Sequence, residues 1–276
     1  MKFRTFLLFF CLVISSIIPA EEIRFLYNRN YYPFEFTNEQ GKADGFVIDV
    51  LFALAREAAY EITFIPGNWK QREEDLYNGD GYFTTGFLNH SSHDSIITSK
   101  ILFSLPFSLI YRSGISPHSL KDLDGRTPLF SSGDSSEQVL YTYLKPEKVI
   151  RTKSWSDAVK ALDTGYGDFA IISRIQKDLI IGEYHEKLSV MEEFHLVLPY
   201  VIYTTRWDKE KLEKLNNSLS IIRASGEFDR ITGKWFAEEN PLITASGKKR
   251  SLLYLIPAAI ACIILLTIYK KRKVRL

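Results

Sequence analysis

Two uncharged apolar runs bracket this 276-residue chain, and every acidic residue lies between them. Phe6 to Ile14 follows Lys2 and Arg4, and Leu252 to Tyr269 precedes Lys270, Lys271, Arg272, Lys273 and Arg275. The first run has the charged, apolar and small-residue parts of a secretory signal, with a cleavage point after Ile18-Pro19-Ala20. It is either cleaved there or kept as an N-terminal anchor. The second run would extend roughly 27 Å as a helix, enough for a bilayer core. Pro257 is tolerable in such a helix, and the basic tail predicts an inside C-terminus. The fold must be made by the stretch between the two runs.

That stretch is acidic, although the whole chain carries a formal +2. Ten of the 35 basic residues lie in or beside the apolar ends, leaving 25 against 33 acidic ones, a net −8. Such a surface argues against nucleic acid as a partner. Cys11 and Cys262 both fall inside the apolar runs. The body therefore has no disulfide and no thiolate centre. It depends on its core, and about 225 residues suffice for one or two lobes.

Short β-rich runs alternate with stretches of helical periodicity. Strands are expected near Ile23–Tyr27, Ile62–Ile65, Tyr82–Thr85, Thr127–Phe130, Lys148–Arg151 and Phe169–Ser173. Helices are expected near Val47–Ala59, Gln71–Tyr77, Ser135–Leu144, Ser156–Leu162, Ile175–Tyr184, Lys209–Ala224 and Glu227–Phe236. This alternation implies an α/β fold with mostly parallel sheets, and its restart near Thr127 implies two lobes. Two long extended runs, near Phe107–Arg112 and Val197–Thr204, are the natural crossings between lobes. Ligands of such folds sit at strand carboxyl ends, here between the lobes.

Several segments carry a resemblance. They are Tyr32-Pro33-Phe34-Glu35-Phe36, Gly41 to Val50, Leu76-Tyr77-Asn78-Gly79, Phe103 to Phe107 and Ser119 to Gly125. Gly133-Asp134-Ser135-Ser136, Ala161 to Ala170, Gly226 and Lys234-Trp235-Phe236 follow in order. Together they resemble the bacterial family 3 extracellular solute-binding proteins over about Ile23 to Phe236. The resemblance implies a two-lobed clamp of the type 2 periplasmic-binding-protein kind, closing on a small solute, commonly an amino acid. It also implies service to an uptake transporter or to a membrane receptor. The organisation expected is a signal peptide at 1–20, one lobe from 21–111 with 200–237, and a second lobe at 112–199. A tether at 238–251, a transmembrane helix at 252–269 and a cytoplasmic tail at 270–276 complete it.

The resemblance also nominates ligand-binding residues. Tyr32, Phe34 and Trp69 would lay aromatic faces over the ligand, or pack within a lobe. Thr84, Thr85 and Gly86 would offer hydroxyl and backbone groups, or form a satisfied turn. Gly133, Ser135 and Ser136 precede a helix and would present N–H groups to an anion, compatible with an ordinary N-cap. Glu35, His93 and Ser173 are also expected at the ligand; alternatively Glu35, with His90 and His93, could supply an acid and a base to a dehydratase-like relative.

Two departures stand out. Amino-acid binders of this family carry Thr-x-x-Arg, whose guanidinium pairs with the ligand carboxylate; His90-Ser91-Ser92-His93 fills that register here. They also carry an acid five positions after the equivalent of Asp168, and that position is Ser173. The sequence therefore predicts a single-pass, extracytoplasmic binder of a small polar solute other than a standard α-amino acid. No catalytic residue, metal or cofactor is expected, and the partners are a small molecule, the membrane and a transporter or receptor within it. The alternatives are a partner-binding or degenerate sensor ectodomain, and a periplasmic dehydratase-like enzyme.

Overall fold

The computed structural model describes residues 21–236, apart from 68, 79–80, 89–93, 132–136, 138–140, 142–143, 181–186 and 192–194. The first strand, β1 (Glu21–Asn28), lies parallel to β5 (Tyr60–Gly67) on one side and β6 (Tyr82–Phe87) on the other. Such a flanked strand buries both faces, and Ile23, Phe25, Leu26 and Tyr27 are all buried. Between β1 and β5 the chain forms a small antiparallel sheet of β2 (Asn30–Tyr31), β3 (Glu35–Thr37) and β4 (Ala43–Asp44). Helix α1 (Phe46–Glu57) follows, and its Phe46, Val47, Val50, Leu51, Leu54 and Ala55 are buried. Each large side chain so buried contributes about 2 kcal/mol.

The start of α1 explains the Asp44-Gly45-Phe46 segment. Gly45 sits at φ 128°, and a Cβ there would lie 2.4 Å from the Phe34 carbonyl oxygen. Only glycine permits this approach. The approach lets the first helical N–H groups find acceptors: Phe46 donates to Pro33 O at 3.0 Å and Val47 to Phe34 O at 2.8 Å. The Tyr32–Glu35 segment is thus fastened to the helix start by backbone hydrogen bonds.

Helix α2 (Trp69–Asn78) leads to β6, and β7 (Ile96–Thr98) to the long β8 (Phe103–Arg112). A second set follows: β9 (Pro128–Ser131), β10 (Ile150–Thr152), α3 (Trp155–Asp163), β11 (Phe169–Ser173), α4 (Arg174–Ile180) and β12 (Leu188–Val190). β9 lies parallel to both β10 and β11. Ser154 caps α3, its hydroxyl oxygen accepting from Asp157 N at 3.1 Å, and Trp155, Ala158, Val159 and Leu162 face the core. The chain returns through β13 (Val197–Thr205) to α5 (Lys209–Ala224) and α6 (Glu227–Phe236). Residues through Ile231 form one compact unit, and a second begins at Thr232, whose described part is the end of α6.

The architecture is two-lobed, but its sheet is mixed and continuous. Among the described residues, ten strands are joined with the main order β10-β9-β11-β8-β13-β6-β1-β5. The expectation of two mostly parallel sheets is corrected at β8 and β13, which cross between the lobes in opposite directions. Phe103 to Pro106 pairs antiparallel with Val197 to Tyr200, whereas Phe107 to Tyr111 pairs antiparallel with β11. From Tyr200 to Tyr203, β13 pairs antiparallel with β6. The change of partner falls at Pro106, which has no N–H to give to a ladder.

Among the described residues no helix is long and apolar enough to cross a membrane. The expected signal peptide, tether, transmembrane helix and tail lie outside the described residues. So does most of the expected helix from Ser135 to Leu144.

Candidate functional site

The Tyr32–Glu35 segment leaves β2 at the lobe formed around β1, and its side chains divide sharply. Phe34 is fully buried, its ring parallel to that of Phe103 at 6.2 Å and 5.0 Å from that of Tyr31. It is core. Tyr32 is 53% exposed, with its ring edge against Phe36 at 5.0 Å.

Glu35 is 0% exposed and forms the hub of a buried network. Its Oε1 accepts from Arg72 Nη1 at 2.9 Å and from the Tyr200 hydroxyl at 3.2 Å. Its Oε2 accepts from Thr85 Oγ1 at 3.2 Å. Arg72, 2% exposed, also donates to the carbonyls of Leu26 and Thr85, both at 3.3 Å. Thr84 Oγ1 donates to Leu26 O at 2.9 Å. Burial, and then the charge of Glu35, hold the Tyr200 phenol well above its ordinary pKa, so it remains a donor. Charges removed from water this completely must be paired and hydrogen-bonded, and here they are. Glu35, Thr84 and Thr85 therefore turn to internal partners. Gly86 is buried within β6, opposite Val201.

Arg72 is a residue that sequence reasoning passed over, because it does not fit the ligand-arginine register. The available signal was its position four residues before Leu76 on α2. That spacing places both on one helix face, and both are buried.

The opposite lobe meets this segment through Gln176, which is held by Ser173. Ser173 ends β11 and opens α4, accepting from Gln176 N at 3.3 Å and donating to Gln176 Oε1 at 3.0 Å. This Ser-x-x-Gln arrangement is a variant of the capping box. The other end of the same carboxamide crosses between lobes: Gln176 Nε2 donates to the Tyr32 carbonyl at 3.0 Å. Ser173 and Gln176 are both buried. The position at which the resemblance calls for an acid thus carries a helix cap whose glutamine touches the other lobe. Sequence reasoning named Ser173 but missed Gln176. The signal was the Ser173-Arg174-Ile175-Gln176 spacing at a strand-to-helix junction.

Trp69 begins α2, and only its backbone is described. His93, Gly133, Ser135 and Ser136 lie outside the described residues. Among the described residues no group of three or more His, Cys, Asp or Glu side chains is placed to hold a metal ion.

Comparison with known proteins bears on the fold. A probable histidine-binding protein of Neisseria gonorrhoeae is 25% identical over 233 residues, covering 80% of this chain and 85% of that protein. The ABC transporter arginine-binding protein 1 of Escherichia coli (strain K12) is 23% identical, covering 79% and 92%. Among solved structures, a histidine kinase sensor domain with similarity to periplasmic binding proteins superimposes with a TM-score of 0.67. It is 21% identical, covering 79% of this chain and 97% of that one. Residues 23–238 match the family described as bacterial extracellular solute-binding proteins, family 3, and this chain belongs to that family.

Proposed function

We propose that this protein is a membrane-tethered, extracytoplasmic solute-binding protein that closes its two lobes on a small polar solute other than a standard α-amino acid. It is not itself catalytic. It either feeds a membrane transporter or reports ligand state to a receptor partner. The observation that carries this reading is the Ser173–Gln176–Tyr32 chain. At the position where an amino-acid binder needs a carboxylate for the ligand ammonium, a neutral hydroxyl caps a helix. Glu35, the carboxylate of the facing segment, is paired with Arg72. Tyr32, 53% exposed, would meet a solute with an aromatic face, which suits apolar stems and cations.

A thermal-shift screen of the full chain tests this, with amino acids, amines, dicarboxylates, nucleobases and small sugars at neutral and mildly acidic pH. A ligand at 100 times its dissociation constant adds about 2.7 kcal/mol, a readily measured rise in Tm. A hit from one class other than α-amino acids supports the reading. An ordinary α-amino acid as the strongest hit would overturn the argument from Ser173.

A second reading, a partner-binding or degenerate sensor ectodomain, is favoured by the same contact. Gln176 Nε2 and Tyr32 O join the lobes directly. A well-folded chain with no shift across the panel would support it.

A further inference from the structure

The second lobe has a cavity at the end of its sheet remote from Ser173. β9, β10 and β11 are parallel, and Thr127, Lys148 and Asp168 each lie just before one of their starts. The antiparallel β8 delivers its last residue, Arg112, to the same end. These residues, with Ile150 and Gly165 to Gly167, line a solvent-open hollow of about 280 Å³. Ser173, at the opposite terminus of β11, belongs to the interlobe contact, so the two places are separated by the length of that strand.

The cavity is positively charged. Asp168 is held by the backbone, its Oδ2 accepting from Thr127 N at 2.9 Å. Its Oδ1 faces Arg112 at 3.4 Å and Arg126 at 4.0 Å. Arg112, Lys148 and Asp168 are the charged residues of the cavity wall, a net +1, and Arg126 stands behind Asp168. Arg112 donates to Asp168 and to Gly165 O, each at 3.4 Å, the outer limit of a hydrogen bond. A guanidinium has five donors in a rigid fork, and these two contacts leave most of that capacity to a ligand. Lys148 is exposed at the cavity wall.

The rim is shaped by glycine. At Gly167, φ is 112° and a Cβ would lie 2.3 Å from Leu129 Cδ1. The backbone therefore presses against β9. Tyr166, between the two glycines, stands 64% exposed beside the cations.

We propose that this cavity is a second ligand site, independent of the interlobe one, that takes a small dianion such as a phosphate monoester or a dicarboxylate. Arg112 provides the planar fork and Lys148 the second charge, with Arg126 adding to the field. Two wall cations, Arg112 and Lys148, answer the two charges of a dianion, and the volume admits several atoms beyond the oxyanion.

The test is calorimetric titration of the full chain with inorganic phosphate and with succinate, at fixed ionic strength, with acetate as the monoanion control. Saturable binding of either dianion, with acetate weaker, is expected. Lys148→Gln should weaken it roughly tenfold, the loss of one charge-assisted hydrogen bond, and Arg112→Gln should abolish it. Binding of phosphate alone assigns a phosphate ester, and of succinate alone a dicarboxylate. Should Arg112→Gln fail to fold, Lys148→Gln decides. The proposal is overturned if neither dianion binds saturably, or if binding is unchanged in Lys148→Gln, as it would be for a dianion held between the lobes.

Discussion

Gln176→Ala should open the clamp. Of the polar contacts that this side chain makes, the 3.0 Å bond from Nε2 to the Tyr32 carbonyl crosses between lobes. The bond between Ser173 Oγ and Gln176 Oε1 stays within one lobe, and the backbone cap from Gln176 N survives the substitution. A net neutral hydrogen bond contributes about 1 kcal/mol, which shifts a closed-to-open ratio roughly fivefold. Spin labels at Glu57 on α1 and Lys121 in the second lobe would report the interlobe distance distribution, both residues being exposed. Cys11 and Cys262 would first be replaced by Ser. Ser173→Ala is the control: it loosens the cap and leaves the crossing bond, so its closed fraction should stay near that of the parent. Equal distributions in Gln176→Ala and the parent, or equal opening in both variants, would refute the assignment of closure to the carboxamide.

Three further perturbations follow from the packing. Arg72→Leu leaves Glu35 buried without its cation and should cost about 3–5 kcal/mol in urea unfolding, whereas Arg72→Met combined with Glu35→Leu should recover much of that loss. Gly45→Ala forces a Cβ against the Phe34 carbonyl at a positive φ and should cost about 1–3 kcal/mol, read from the same titration. The Glu227 carboxylate lies below its ordinary pKa, chiefly through its hydrogen bond with Arg56. Its stabilisation is therefore present above the ordinary glutamate range and lost as pH falls through the lowered value. Glu227→Gln should cost below about 1 kcal/mol at pH 7, both partners being partly exposed. The difference should vanish in acid, as measured by Tm against pH.

Elements with long periodicity or clear caps were legible in the sequence. The helices Lys209–Ala224 and Glu227–Phe236 and the strand Phe169–Ser173 fall where the pattern puts them. The strand expected at Lys148–Arg151 instead begins at Ile150, since only Ile150 to Thr152 pair with β9. The two- and three-residue strands β2, β3 and β4 were illegible, because such lengths carry no periodicity. The candidate site was legible in its segments but not in its pairings. Glu35 and Arg72 are 37 residues apart, and Tyr32 and Gln176 are 144 apart. Partners chosen by tertiary geometry leave no local signal. Glu35 looks like an available carboxylate until its neighbours are known, and Arg72 looks like a surface cation until α2 is docked.

The change of partner at Pro106 bears on how this protein can be divided. A second lobe cut free of the first would keep β8 but strip Phe103 to Pro106 of β13, and the first lobe without β8 would bare the Val197 to Tyr200 edge. Each fragment would present an unpaired, largely apolar strand edge, the surface on which chains recruit one another into aggregates. The halves are thus expected to be poor candidates for separate expression, domain transplantation or a nick between β8 and β9. An insertion at the Gly41 turn, whose glycine has open space around it, should be carried without harm.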